Sequence, residues 1–176
     1  MGARILKSSV RRVLALKISR IHAPNGPGQD IDNGKGVMGN DSNARKPKVL
    51  IVEDDNDIAS VVGLALEDFV DLTIAKTTGD AILAVRSDLF ELVLLDWRLG
   101  NACGREVLQE IDFLDAESRP QVVITSGGND DSLQEALQSS DCHMLPKPYM
   151  LDELTRIVAR LLTKKNEPKT KRKHRR

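Results

Sequence analysis

The sequence predicts an α/β fold, a parallel five-stranded sheet with helices on both faces. Two observations predict it. From Lys48 onward five short apolar runs, at 49–52, 72–75, 92–95, 122–124 and 142–145, alternate with longer amphipathic stretches. The runs are continuous and built mostly of Val, Ile and Leu, the pattern of strands buried on both faces. Five βα units in succession imply right-handed crossovers that place helices above and below the sheet.

Each amphipathic stretch has its own signature. Ile58, Val61, Val62, Ala65, Leu66 and Phe69 recur at helical spacing after the cap candidates Asp54, Asp55, Asn56 and Asp57. Gly79-Asp80 opens a second helix whose apolar members are Ala81, Leu83, Ala84 and Val85. Val107, Leu108, Ile111 and Leu114 mark a third, closed before Pro120. A short fourth covers 132–139, with Leu133, Ala136 and Leu137. The fifth carries Leu151, Leu154, Ile157, Val158, Leu161 and Leu162. These stripes read as core, not as a cofactor box.

The formal net charge of zero hides a strong asymmetry. Residues 1–47 carry nine Lys/Arg and three Asp, a net of +6. Residues 164–176 carry eight Lys/Arg and one Glu, a net of +7. The 116 residues between them hold nine Lys/Arg against 22 Asp/Glu, a net of −13. The expectation is an acidic domain over 48–163 flanked by basic, disordered extensions. The C-terminal extension is suited to weak contact with nucleic acid or an anionic surface, although no aromatics interleave it for base stacking. The stretch 1–20 mixes Arg4, Lys7, Arg11, Arg12, Lys17 and Arg20 with Ile5, Leu6, Val10, Val13, Leu14, Leu16 and Ile18, and no acid precedes Asp30. It resembles a transit peptide more than a secretory signal; the alternative is that translation starts at Met38. Two cysteines, Cys103 and Cys142, suggest no disulfide framework and hence a reducing, cytoplasmic setting. No apolar run is long enough to span a membrane. After Leu162 only 14 residues remain, too few for a DNA-binding output domain.

The chemistry sits just past the apolar runs. Glu53-Asp54 follows the first, Asp96 the third, Thr125-Ser126 the fourth, and Lys147, between Pro146 and Pro148, the fifth. In a parallel sheet these carboxyl ends open onto one crevice. Two carboxylates about 5 Å apart repel by roughly 3 kcal/mol at an effective dielectric of 20, so three of them call for a cation. Hard oxygen ligands favour Mg²⁺. Such a metal neutralises and aligns a phosphoryl group, and a carboxylate, here Asp96, can then attack it to form an acyl phosphate. Lys147 offers a mobile positive charge and a Thr or Ser hydroxyl offers a donor. Each residue alone has a plainer reading, Asp54 or Asp55 as a helix cap and Lys147 as a turn residue. Four stations on four strands are not explained by capping.

With Leu94-Leu95-Asp96, Gly104 eight residues on, Val122-Val123-Ile124-Thr125-Ser126-Gly127 and Leu145-Pro146-Lys147-Pro148-Tyr149, residues 48–163 resemble a response-regulator receiver domain of two-component signalling. The resemblance implies a flavodoxin-like (βα)5 fold with strand order 2-1-3-4-5. It implies that Asp96 accepts a phosphoryl group from a histidine kinase or histidine phosphotransfer protein. Glu53, Asp54, Asp96 and the backbone carbonyl of Arg98 would hold Mg²⁺. Lys147 would contact the phosphoryl group beside a cis bond to Pro148, and Thr125 or Ser126 would supply the switch hydroxyl. The implied role is a single-domain, non-enzymatic switch that signals by docking a downstream protein on the face of helix 4, strand 5 and helix 5.

Three departures from the family pattern stand out. Met144 occupies the position of the usual switch aromatic, Gly100 replaces a common proline in a loop expected to be more mobile, and Arg98 lies two residues past the acceptor. Arg98 also weighs against a phosphohydrolase, which needs an acid there. The remaining alternative is a receiver-like interaction module that is never phosphorylated.

Overall fold

The computed structural model describes residues 45–128 and 131–165, with side chains to 163. The two basic extensions, and with them Met38 and the transit-peptide reading, lie outside the described residues. Five strands form one parallel sheet: β1 Lys48–Val52, β2 Asp71–Ala75, β3 Leu92–Asp96, β4 Gln121–Ser126 and β5 Cys142–Pro146. Their order is β2-β1-β3-β4-β5, as the resemblance implies. Five helices alternate with them: α1 Asn56–Leu66, α2 Thr78–Ser87, α3 Arg105–Asp112, α4 Asp131–Ser139 and α5 Leu151–Lys165.

Strand alternation divides the core in two. Leu50, Val52, Val93, Leu95, Val122 and Ile124 face one layer, packed on Ala81 and Val85 of α2, Val107, Leu108 and Ile111 of α3, and Leu133 and Ala136 of α4. Val49, Ile51, Leu92, Leu94 and Val123 face the other, packed on Val62 and Leu66 of α1 and on Leu154, Val158 and Leu161 of α5. The central strands β1, β3 and β4 are buried on both faces, as their apolar runs predict. The outer two are not. In β2 only Ala75 is buried and in β5 only Leu145, because an edge strand has one neighbour and incomplete helical cover. Three stripe residues also leave the core: Val61 is 48%, Leu83 66% and Leu151 38% exposed. An apolar stripe on a helix is wider than the strip of surface the sheet covers.

The polar residues before α1 separate into two jobs. Asp55 is the N-cap, accepting from the amides of Asp57 at 2.8 Å and Ile58 at 3.1 Å. Asp54 makes no such bond and projects elsewhere. Thr77 caps α2 through the Asp80 amide at 3.1 Å. On the surface, Arg86 of α2 forks onto Glu110 of α3 through two bonds of 2.8 Å, while Arg105 of α3 pairs with Glu135 of α4 at 2.6 Å. Exposed pairs of this kind tie helices together weakly. Replacing Asp55 by Ala is expected to lower the unfolding free energy by about 1 kcal/mol, the usual worth of such a cap, as a reduced urea midpoint with an unchanged slope. An unchanged midpoint would show that the cap contributes nothing.

Candidate functional site

The same alternation that sorts the core aims the polar residues. Glu53 continues the series of Val49 and Ile51, Asp96 that of Leu92 and Leu94, and Lys147 that of Leu145. Thr125 continues from Val123 and stands in register beside Asp96 on the neighbouring strand. These four therefore share the α1/α5 side of the sheet. Ser126 follows Val122 and Ile124 toward the opposite side. Its hydroxyl is engaged locally, donating to the Gly128 carbonyl at 2.9 Å and accepting from the Gly128 amide at 3.2 Å. Two adjacent hydroxyls that spacing alone leaves equivalent thus occupy different faces.

Lys147 links the carboxylates. Its Nζ donates to Asp96 Oδ2 at 2.6 Å and to Glu53 Oε2 at 2.9 Å. The Lys147–Pro148 bond is cis, as the resemblance implies. Ligand oxygens of Glu53, Asp54 and Asp96 lie within 4.8 Å of one another, with Glu53 and Asp96 buried and Asp54 exposed. Burial pushes the Glu53 carboxyl above its ordinary range, and neighbouring Asp96 adds to this against the opposing pull of Lys147. Burial works to lower Lys147, but its bonds to Asp96 and Glu53 prevail and raise it. A cluster of hard oxygen donors containing a carboxyl reluctant to ionise suits a small divalent cation such as Mg²⁺.

The loop after Asp96 holds its carboxylate in place. The Arg98 amide donates to Asp96 Oδ1 at 3.2 Å, and the Trp97 amide to the Thr125 carbonyl at 2.9 Å. Where the sequence predicts a loose loop, the segment pairs with itself: Arg98–Leu99 and Ala102–Cys103 form a two-stranded antiparallel ribbon. Gly100 turns it at φ +60°, a conformation that glycine adopts without strain. Proline, with φ fixed at about −65°, could not make this turn, and a Cβ there would lie 3.7 Å from Asp54 Oδ2. Gly104 answers a tighter constraint, since a Cβ would sit 3.0 Å from the Asp96 carbonyl and 3.1 Å from Leu95 Cγ. Beyond the ribbon the Arg98 guanidinium lies against Gly128, so close that a Cβ at 128 would be 3.2 Å from it. The sequence carries no signal for that contact. Nor does it single out Trp97, fully buried beside Asp96 in sequence, whose indole N–H has no partner among the described residues. Met144 is half-buried against the α2–α4 layer.

Two predictions follow from this geometry. Gly104→Ala is expected to cost about 1–3 kcal/mol, because the new methyl meets backbone and a packed Leu; a wild-type urea midpoint would overturn this. Without divalent cation, the stability linked to Glu53 is fully present below the ordinary carboxylate range. It is lost as pH rises through the raised pKa of Glu53. The difference in melting temperature between wild type and Glu53→Gln should therefore shift against wild type as pH rises through that window in EDTA, and should be reversed by millimolar Mg²⁺. A difference independent of pH and Mg²⁺ would contradict it.

Comparisons with known proteins agree with this fold. The family model described as the response regulator receiver domain matches residues 49–159. The response regulator protein PilR of Pseudomonas aeruginosa is 30% identical over 122 residues, covering 69% of this chain and 27% of PilR. The sensor protein GacS of Pseudomonas syringae is 29% identical over 157 residues, 86% of this chain but 16% of GacS. The chain thus spans about a quarter or less of these curated relatives. Among solved structures, a Francisella response regulator receiver domain is 26% identical with a TM-score of 0.59, covering 69% of this chain and 100% of that one. A two-component response regulator from Clostridium difficile is 25% identical with a TM-score of 0.62, covering 69% and 100%. With its sheet order, its acidic strand ends and the matched 111-residue span, this chain belongs to the response regulator receiver domain family.

Proposed function

We propose that this chain is a stand-alone phosphorylation switch. Asp96 accepts a phosphoryl group from a phosphohistidine protein, a histidine kinase or a histidine phosphotransfer protein, and the phosphorylated form signals by protein binding. The observation that carries this reading is the convergence of Asp96, Glu53, Thr125 and Lys147 on one side of the sheet, with Asp54 beside them. Mg²⁺, held by Glu53, Asp54, Asp96 and the carbonyl of Arg98, supplies charge neutralisation and alignment when bound. The Asp96 carboxylate attacks phosphorus, the P–N bond breaks, and an acyl phosphate forms. Lys147 is already hydrogen-bonded to Asp96 and is placed to follow the new negative charge. Thr125, next to Asp96 in register, is the hydroxyl of choice. Ser126 instead anchors the β4–α4 loop through Gly128. The reading makes the chain a switch and not an enzyme. No described helix is long and apolar enough to cross a membrane.

The downstream partner is proposed to dock on the face of α4, β5 and α5. The exposed residues of α4 include Asp131, Gln134 and Gln138, and those of α5 include Arg156 and Arg160. Such a surface favours a polar, charge-matched partner. Weak contacts of the basic extensions with nucleic acid or an anionic surface would be additional.

Incubation with Mg²⁺ and a small phosphodonor should add one phosphoryl mass to the wild type and none to Asp96→Asn. Failure of the wild type to gain it would favour the unphosphorylated interaction module. Thr125→Ala should slow phosphorylation by about tenfold to a hundredfold, the worth of a hydrogen bond to a charged group. Ser126→Ala should leave the rate within a few fold, and the reverse ranking would assign the switch to Ser126. Arg98→Asn should alter the lifetime of the phosphorylated form, because the guanidinium bridges from the acceptor loop to Gly128. Equal dephosphorylation rates would remove Arg98 from the site.

A further inference from the structure

The sheet ends at β2 on one side, and that edge is open. Parallel pairing with β1 uses the backbones of Asp71, Thr73 and Ala75, opposite Lys48, Leu50 and Val52. The Asp71 amide donates to the Pro47 carbonyl at 2.9 Å, and the Ala75 carbonyl accepts from the Glu53 amide at 3.1 Å. By strand alternation the N–H and C=O groups of Leu72 and Ile74 point the other way, and they have no partner among the described residues. Edges of this kind are usually blunted by proline, a bulge or a charge within the strand. β2 reads Asp-Leu-Thr-Ile-Ala in unbroken register with β1, so none of these interrupts it beyond its first residue. Ile74, moreover, is 45% exposed.

The edge is also polarised along its length. Leu72 packs into the α1 layer, where a Cβ on Gly63 would be 4.0 Å from Leu72 Cδ1, and Ile74 lies on the same side of the strand. At the amino end Glu67 and Asp71 adjoin Leu72. The cations there are already engaged, Arg45 with Glu91 at 3.1 Å and Lys46 with the Glu67 carbonyl at 3.0 Å. Lys76, exposed, stands just past the carboxyl end. Neither the carboxylates of Glu67 and Asp71 nor Lys76 is ion-paired among the described residues.

A second copy of the same strand satisfies both features. Antiparallel pairing about a two-fold axis at Ile74 joins outward-facing backbones, Ile74 to the other copy's Ile74 and Leu72 to its Lys76, in both directions. The stem of Lys76 then covers Leu72 and its ammonium comes to the end that carries Glu67 and Asp71. Parallel pairing would instead set Lys76 beside Lys76 and acids beside acids. A two-residue slip would separate Ile74 from Ile74 and Lys76 from Leu72. The formal net charge of the whole chain is zero, so two copies have no overall repulsion to overcome.

We propose that the β2 edge is a self-association surface, on which two copies of this chain join their five-stranded sheets into one through antiparallel β2 pairing centred on Ile74. Asp96 stands on β3, two strands in from this edge, so both sites stay open in the pair. The pairing rests on the fold and needs no phosphoryl group.

Sedimentation velocity of the unphosphorylated full-length protein should show a monomer–dimer equilibrium between micromolar and millimolar concentration. Ile74→Lys sets like charges opposite each other at the centre of the contact, and Ile74→Pro removes an outward N–H that β1 does not use. Each should raise the dimer dissociation constant by about tenfold or more. If Ile74→Pro lowers the urea midpoint, Ile74→Lys, which alters no backbone group, decides. Lys76→Glu, which turns the contact with the acidic end into repulsion, should weaken the dimer as well. Hydrogen exchange at the Leu72 and Ile74 amides should slow as concentration rises, while Thr73 and Ala75, already bonded to β1, change little. A wild type that stays monomeric throughout, or a dimer as tight in Ile74→Lys as in the wild type, would overturn the proposal. So would slow exchange at Leu72 and Ile74 that is independent of concentration, which would point to cover from within the same chain. Because no phosphodonor is present, failure here is separable from failure of Asp96 to accept a phosphoryl group.

Discussion

The sealing of β1, β3 and β4 on both faces is the constraint on which the rest of this molecule depends. Helices cover the two sides with separate apolar layers, so no polar side chain can sit along these strands without a buried partner. Polar residues become tolerable only where the cover ends, at the carboxyl ends of the strands. Glu53, Asp96 and Thr125 are buried there, and each lies at or just past a strand end. The burial that organises the fold also pushes the Glu53 carboxyl above its ordinary range. Lys147, donating to both Glu53 and Asp96, offsets part of that cost.

Two glycines show how closely the loop after Asp96 follows from this packing. Gly104 lets α3 begin against the Asp96 backbone, where a Cβ would collide with the Asp96 carbonyl and Leu95. Gly100 closes a ribbon that directs Arg98 away from the sheet and toward Gly128. The unusual residues of this loop, which in sequence suggest looseness, instead serve a specific turn. Met144 at the position of the usual switch aromatic is half-buried against the layer of α2, α3 and α4, where a flexible side chain repacks easily.

The surface divides by chemistry. The exposed side of α4 is polar, whereas the exposed apolar residues of α1 and of the β5–α5 turn line a mainly apolar groove beside Lys147. A contact on the first surface would be read largely through charge, and one on the second through apolar burial and charge together. Val61 belongs to the second surface although its spacing assigns it to the core stripe of α1.

Much of this is written in the order of residues. The five apolar runs mark the strands to within two residues, because short apolar runs set between helical stretches suit the strands of a sheet. The acids and the lysine at their ends mark the site, because parallel strands present their carboxyl ends together. The edge exposure of β2 and β5, the solvent exposure of Val61 and Leu83, and the pairing of the ribbon depend on which neighbour covers which face, and only the assembled tertiary structure decides that. The separation of Thr125 from Ser126 has the same origin. Spacing from Asp96 and Lys147 leaves them equal, and the register of β4 beside β3 turns one toward Asp96 and the other away. Local pattern determined where polar chemistry could stand, and packing across the sheet decided which side chains meet.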